Sequence, residues 1–233
     1  MNPLILCIET SSEYCSVAIQ NQDQLYFKRS TEERSHSTVL TELITETLEE
    51  ASIKQEALNA IAISSGPGSY TGLRIGSSTA KGMCYALDIP LIGIETFEIL
   101  REGLKIQDSK TNKKVMAMID ARRMEVYMKS WNEKGDVIDN SHPLILDEVF
   151  SNEINSNTVY IGDGAFKIKQ LDKGNKCLNI VDMKPQANYM IDLAQEYYSK
   201  SKFENIAYFE PFYLKEFYTT RPKKRIFSEL LWR

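Results

Sequence analysis

The chain has 233 residues, room for one large domain or two small ones, and a hydrophobic fraction of 42% that supports a real core. No apolar run approaches the length of a bilayer span, and the start, Met1-Asn2-Pro3-Leu4, lacks the basic and apolar stretches of a signal peptide, so a cytoplasmic protein without membrane contact is expected. The net charge of −4 is unevenly spread: residues 221–233 hold five basic side chains (Arg221, Lys223, Lys224, Arg225, Arg233) and one acid (Glu229), and the remaining 220 residues hold 23 basic and 31 acidic groups, which makes the body a poor independent binder of RNA.

In chain order, Leu4 to Ile8 reads as a buried strand ending at Glu9-Thr10-Ser11-Ser12. Tyr14 to Ile19 is a second strand, Asn21-Gln22-Asp23 a turn, and Gln24 to Arg29 a third strand. His36 to Ala51 reads as a helix whose apolar stripe is Leu40, Leu43, Ile44, Leu48 and Ala51. A strand over 59–64 leads into Gly66-Pro67-Gly68-Ser69-Tyr70-Thr71-Gly72-Leu73-Arg74-Ile75-Gly76, the most distinctive stretch of the chain. A helix from Thr71 to Leu87, a strand at Leu91–Ile94 and a short helix near 96–104 close the first half. Lys110 to Lys114 reads as a linker.

The pattern then restarts. Val115 to Ile119 is a strand ending at Asp120-Ala121-Arg122-Arg123; Glu125 to Trp131 and a segment within Val137 to Ile145 are the next two, with a turn at Gly135. Asp147 to Ile154 is helical, Val159-Tyr160-Ile161 runs into Gly162-Asp163-Gly164, Leu178 to Val181 is a strand, and Asn188 to Lys200 a helix. Ile8-Glu9-Thr10 corresponds to Ile119-Asp120-Ala121, and Gly66-Pro67-Gly68 to Gly162-Asp163-Gly164. Three meandering strands, then helix, strand and helix, is the order of a ribonuclease-H-like unit, and two in tandem predict an α/β actin-like ATPase architecture. The expected units are 1–108 and 109–233, each a mixed sheet with helices.

The glycine segment is either a phosphate cradle or a tight packing corner, since glycine allows close backbone approach and helix starts attract anions. It is no P-loop, because Leu73 and Arg74 follow Gly72 where Lys-Ser/Thr would be required. Glu9, Thr10, Ser11, Gly66, Gly68 and Asp120 form the candidate anion or nucleotide site, read as vestigial: the first loop has no glycine, and two bulky arginines follow Asp120. No G-x-S-x-G elbow and no H-E-x-x-H helix is present. Four cysteines (Cys7, Cys15, Cys84, Cys177) without a CxxC pair read as buried thiols, and two distant histidines, His36 and His142, predict no metal site. No catalytic residue and no cofactor is assigned. The helix after the glycine corner carries Gly72, Gly76, Ser77, Ser78, Thr79, Ala80 and Gly82, small residues that let another helix approach closely.

Several of these segments together resemble the TsaB (YeaZ) family of bacterial actin-like proteins of tRNA modification: Ile8-Glu9-Thr10-Ser11, Cys15-Ser16-Val17-Ala18, Arg34-Ser35-His36-Ser37, the glycine segment with Ala80-Lys81-Gly82, Asp120-Ala121-Arg122-Arg123-Met124-Glu125-Val126-Tyr127, Gly162-Asp163-Gly164-Ala165 and Pro211-Phe212-Tyr213-Leu214. Family members often have Asp where Glu9 stands. The resemblance implies a non-catalytic subunit that pairs with the paralogue TsaD and works with the ATPase TsaE, meeting tRNA through that assembly, which threonylcarbamoylates the adenosine beside the anticodon in tRNAs reading ANN codons. It also implies self-association when the paralogue is absent. The family's pairing surface lies on the first two helices, so the expected contacts are His36, Leu40, Leu43, Leu73, Gly76, Ala80 and Met83. The rival reading is an actin-like ATP-dependent phosphotransferase built on Glu9 and Asp120.

Overall fold

The computed structural model describes residues 2–30, 36–108, 112–172 and 178–213. The first sheet contains β1 (Ile5–Glu9), β2 (Ser16–Asn21), β3 (Gln24–Arg29), β4 (Ala60–Gly66) and β5 (Leu91–Glu95), in the order β3-β2-β1-β4-β5. The second contains β6 (Lys114–Asp120), β7 (Glu125–Trp131), β8 (Val137–Ile145), β9 (Thr158–Ile161) and β10 (Asn179–Val181), in the order β10-β9-β6-β7-β8. Read from its meander, each sheet has the same plan: an antiparallel three-strand hairpin series, then two parallel strands added beside the first. The chain is therefore α/β with two tandem ribonuclease-H-like units, as its sequence predicts.

Alternation along the central strands decides which layer each face meets. Leu6, Ile8, Val17, Ile19, Ile61 and Ile63 point to one face, which α1 (His36–Glu50) and α2 (Tyr70–Leu87) cover. Ile5, Cys7, Ala18, Ala60 and Ala62 point to the other, where α3 (Thr96–Gln107) and the facing side of the second sheet (Val115, Ala117, Ile119) join a single core. The outer face of the second sheet (Met116, Met118, Met128, Tyr160) packs on α4 (Glu148–Glu153) and a 3-10 segment, Asp163–Gln170. The strands divide on either side of residue 108, but α5 (Ile191–Ser199) and the preceding 3-10 turn, Ala187–Met190, return to β1, β2 and β5 of the first sheet. Gly103 of α3 marks that closeness: a Cβ there would lie 2.6 Å from the Tyr189 ring.

Polar contacts add to this shared core. Lys129 of β7, 7% exposed, pairs with Glu95 (2.5 Å) and Glu98 (2.7 Å) at the start of α3. Arg101 lies 5.1 Å over the buried Trp131 ring and donates to Gly135 O (2.9 Å). Cys7, Cys15 and Cys84 are buried free thiols, as expected, and Cys177 lies outside the described residues. The expected linker over 110–114 falls partly outside them, with Lys114 already in β6, and the basic segment 221–233 lies wholly outside.

Candidate functional site

The glycine segment begins where β4 ends. Gly66 takes φ +103°, open to glycine, and a Cβ there would sit 2.6 Å from Phe212 O. Ser69 then caps α2, its hydroxyl accepting from Gly72 N (3.2 Å). The loop after β1 fills the notch that the glycines open. Ser69 N donates to Ser11 O (2.6 Å). A Cβ at Gly68 would collide with Ser11 O, at Gly72 with Thr10 O, and at Gly76 with Thr10 Oγ1. The backbone of Thr10 and Ser11 packs into this helix start, which gives the segment the form of a tight packing corner.

Glu9 closes the same corner from beneath. It is wholly buried; Oε1 accepts from Ser11 N (2.7 Å) and from the Ser11 hydroxyl, and Oε2 lacks a close hydrogen-bond partner among the described residues. Burial pushes its carboxyl up to about 7, against the opposing pull of the Ser11 and Ser64 hydrogen bonds.

The second unit repeats the arrangement with different chemistry. Gly162 takes φ +97° beneath Met118, matching Gly66. Asp163 accepts from Asp120 N (2.9 Å), and burial raises its carboxyl. Asp120 Oδ1 accepts from Arg122 N (2.5 Å) and pairs with Lys167 (2.6 Å), which also holds Glu125 O (2.9 Å). Arg122 and Arg123 take positive φ (70° and 49°), so the carboxylate of Asp120 serves a tight turn and an ion pair. Glu9 and Asp120 occupy equivalent strand ends, and each is bonded within its own unit.

The seven expected pairing residues fall mostly inward. Leu40, Leu43, Leu73, Gly76 and Ala80 are buried in the first unit, and Met83 is half-buried against the same cluster. His36 opens α1, and its side chain lies outside the described residues. The outward stripe of α2 is instead Thr71, Arg74, Ser78, Gly82 and Tyr85, at helical spacing. Tyr85 is 84% exposed, and among the described residues a Cβ at Gly82 would meet nothing within 4 Å. Beside it, α1 shows Thr41, Glu42, Thr45, Glu46 and Glu49 to solvent. In the sequence Gly82 is one of several small residues of this helix, and its outward position is given by the fold.

A family model described as "TsaD: tRNA N6-adenosine threonylcarbamoyltransferase" matches residues 30–214. The chain belongs to this family. Within it the chain stands with the TsaB (YeaZ) proteins. The tRNA threonylcarbamoyladenosine biosynthesis protein TsaB of Haemophilus influenzae is 28% identical over 226 residues, 92% of this chain and 94% of that one. Its Escherichia coli counterpart is 27% identical over 220 residues, 91% and 94% of the two chains. YeaZ from Pseudomonas aeruginosa shares the fold, with a TM-score of 0.76, 22% identity, and coverage of 91% of this chain and all of that one. Among the described residues no helix is long and apolar enough to cross a membrane, and no group of three or more His, Cys, Asp and Glu side chains is placed to hold a metal ion.

Proposed function

We propose that this chain is a non-catalytic subunit of the tRNA threonylcarbamoyladenosine system, docking the paralogue TsaD through the outward faces of α1 and α2. In this reading the assembly, with the ATPase TsaE, transfers a threonylcarbamoyl group to the adenosine beside the anticodon of tRNAs reading ANN codons. This chain contributes a surface. The names of its relatives support the pathway.

One contrast carries the docking reading. Gly68, Gly72 and Gly76 are used up in seating α2 against Thr10 and Ser11, whereas among the described residues nothing packs on Gly82. An interior helical glycine costs about 1 kcal/mol relative to alanine. With no neighbour of its own to accommodate, Gly82 is explained by a helix that comes from elsewhere. The filled corner and the turn-bound Asp120 argue against the phosphotransferase reading.

Gly82→Trp tests this directly. The exposed site leaves the fold intact, so the melting temperature stays near that of the unaltered chain while pairing with TsaD from the same organism is lost in calorimetry. Unchanged affinity in Gly82→Trp removes α2 from the interface.

A further inference from the structure

The chain after α5 crosses back over the first unit as a strap. Glu204 N donates to Leu91 O (2.8 Å), Phe209 is buried, and Phe212 N donates to Ser65 O (2.7 Å) at the end of β4. Lys81 of α2 holds the strap down, donating to Phe209 O (3.0 Å) and Ala207 O (3.5 Å). Between strap and helix lies an open cleft of about 590 Å³, bounded by Tyr70, Arg74, Ser78, Lys81, Glu210 and Tyr213.

Two cations face this cleft. Arg74 donates to the Tyr70 hydroxyl (2.8 Å) and lies 5.2 Å over that ring, which packs 4.9 Å from the ring of Tyr213. Lys81 donates to carbonyls. Among the described residues neither cation forms an ion pair with a carboxylate. The one acid lining the cleft among the described residues, Glu210, is exposed. Tyr208, between the two carbonyls that Lys81 grips, is 84% exposed, as is Tyr85 one turn along α2. Tyrosine and arginine around a cleft are the residue types that dominate interface energetics.

Charge complementarity selects the occupant. We propose that the docked partner inserts an acidic side chain of a helix into this cleft, where Arg74 and Lys81 hold its carboxylate, and that the C-terminal strap is the second wall of the docking surface. The proposal rests on the docking reading above: Arg74 lies on the same outward stripe as Ser78, Gly82 and Tyr85, so a helix laid along that stripe passes the mouth of the cleft. Lys81 is already fixed by its two carbonyls, so little side-chain freedom is lost when the carboxylate arrives.

The test is calorimetric titration of TsaD into the full chain and into Arg74→Ala, Lys81→Gln and the double variant, at low and moderate salt. The double variant is expected to bind about tenfold or more weakly and with a flatter salt dependence, because desolvated charge pairs set both quantities. Melting curves accompany each variant, and Arg74→Ala alone, which leaves the Lys81 tether in place, is expected to show part of the same loss. If the double variant pairs within about twofold of the unaltered chain while Gly82→Trp abolishes pairing, the docking face stands and the cleft proposal falls. If Gly82→Trp also pairs normally, both fall.

Discussion

Glu9 ends β1 with no exposed surface, one carboxylate oxygen bonded to Ser11 and the other lacking a close partner among the described residues. Burial disfavours the charged form, so the folded chain holds this proton more tightly than the unfolded chain does. The contribution to stability is complete below the ordinary value of 4.5 and is lost as pH rises through about 7. A rise of that size corresponds to about 3 kcal/mol, essentially all of it gone above about pH 8. Glu9→Gln removes the titration. In urea unfolding between about pH 5 and 8.5, the variant should gain on the unaltered chain by about that amount across the range. A gap between the two that does not change with pH would show that Glu9 does not titrate in the fold. Asp120, its counterpart, is held by Lys167 and the Arg122 amide at a half-exposed strand end, so the two equivalent strand-end acids have different surroundings.

At the scale of the element, α2 carries the account. Its N-terminal glycines are contacts, and Gly82 near its other end is a surface. The two kinds respond oppositely to the same methyl group. Gly72→Ala drives a Cβ into Thr10 O and is expected to destabilise by about 2–4 kcal/mol, since the obstructing atom is backbone and cannot step aside. Gly82→Ala meets nothing and is expected to stabilise by about 1 kcal/mol through helix propensity alone. Chemical denaturation of both variants checks the pair; equal effects of one sign would contradict the assignment of the two faces. The element order was readable from the chain because the signals are local: the apolar run Leu4 to Ile8 at β1, the Leu40 to Ala51 stripe, the glycines at the ends of β4 and β9. The direction in which α2 faces was not. Leu73, Gly76 and Ala80 look like an exposed slim face in sequence because small residues serve an internal crossing and an external one equally well. Only the position of the Thr10–Ser11 loop in space distinguishes Gly76 from Gly82. Tyr70, Tyr213 and Lys81 were unreadable as a group for a related reason, since the strap brings residues more than a hundred positions apart onto one helix.

Across the whole molecule, one core runs through both units and α3 touches both sheets. The Lys129 pairs with Glu95 and Glu98, and Arg101 on Trp131, tie the second unit to the start of α3. Actin-like enzymes work by clamping a nucleotide between such halves. Here the first glycine corner packs on Thr10 and Ser11, and Asp120 is bonded to the Arg122 amide and to Lys167. The architecture has kept the duplication, and in the proposed reading its α2 face takes over as the working surface. The tandem plan was evident from the two acidic strand ends and their following glycines; the return of α5 and the strap to the first sheet was not, because no local pattern records which sheet a late helix rejoins.

The most direct measurement is a reconstituted tRNA modification assay with TsaD and TsaE from the same organism, run with this chain, without it, and with this chain alone. Threonylcarbamoyladenosine is expected in the complete mixture, little when this chain is omitted or replaced by Gly82→Trp, and none from this chain by itself. Turnover of ATP or modification of tRNA by the isolated chain would contradict the non-catalytic reading.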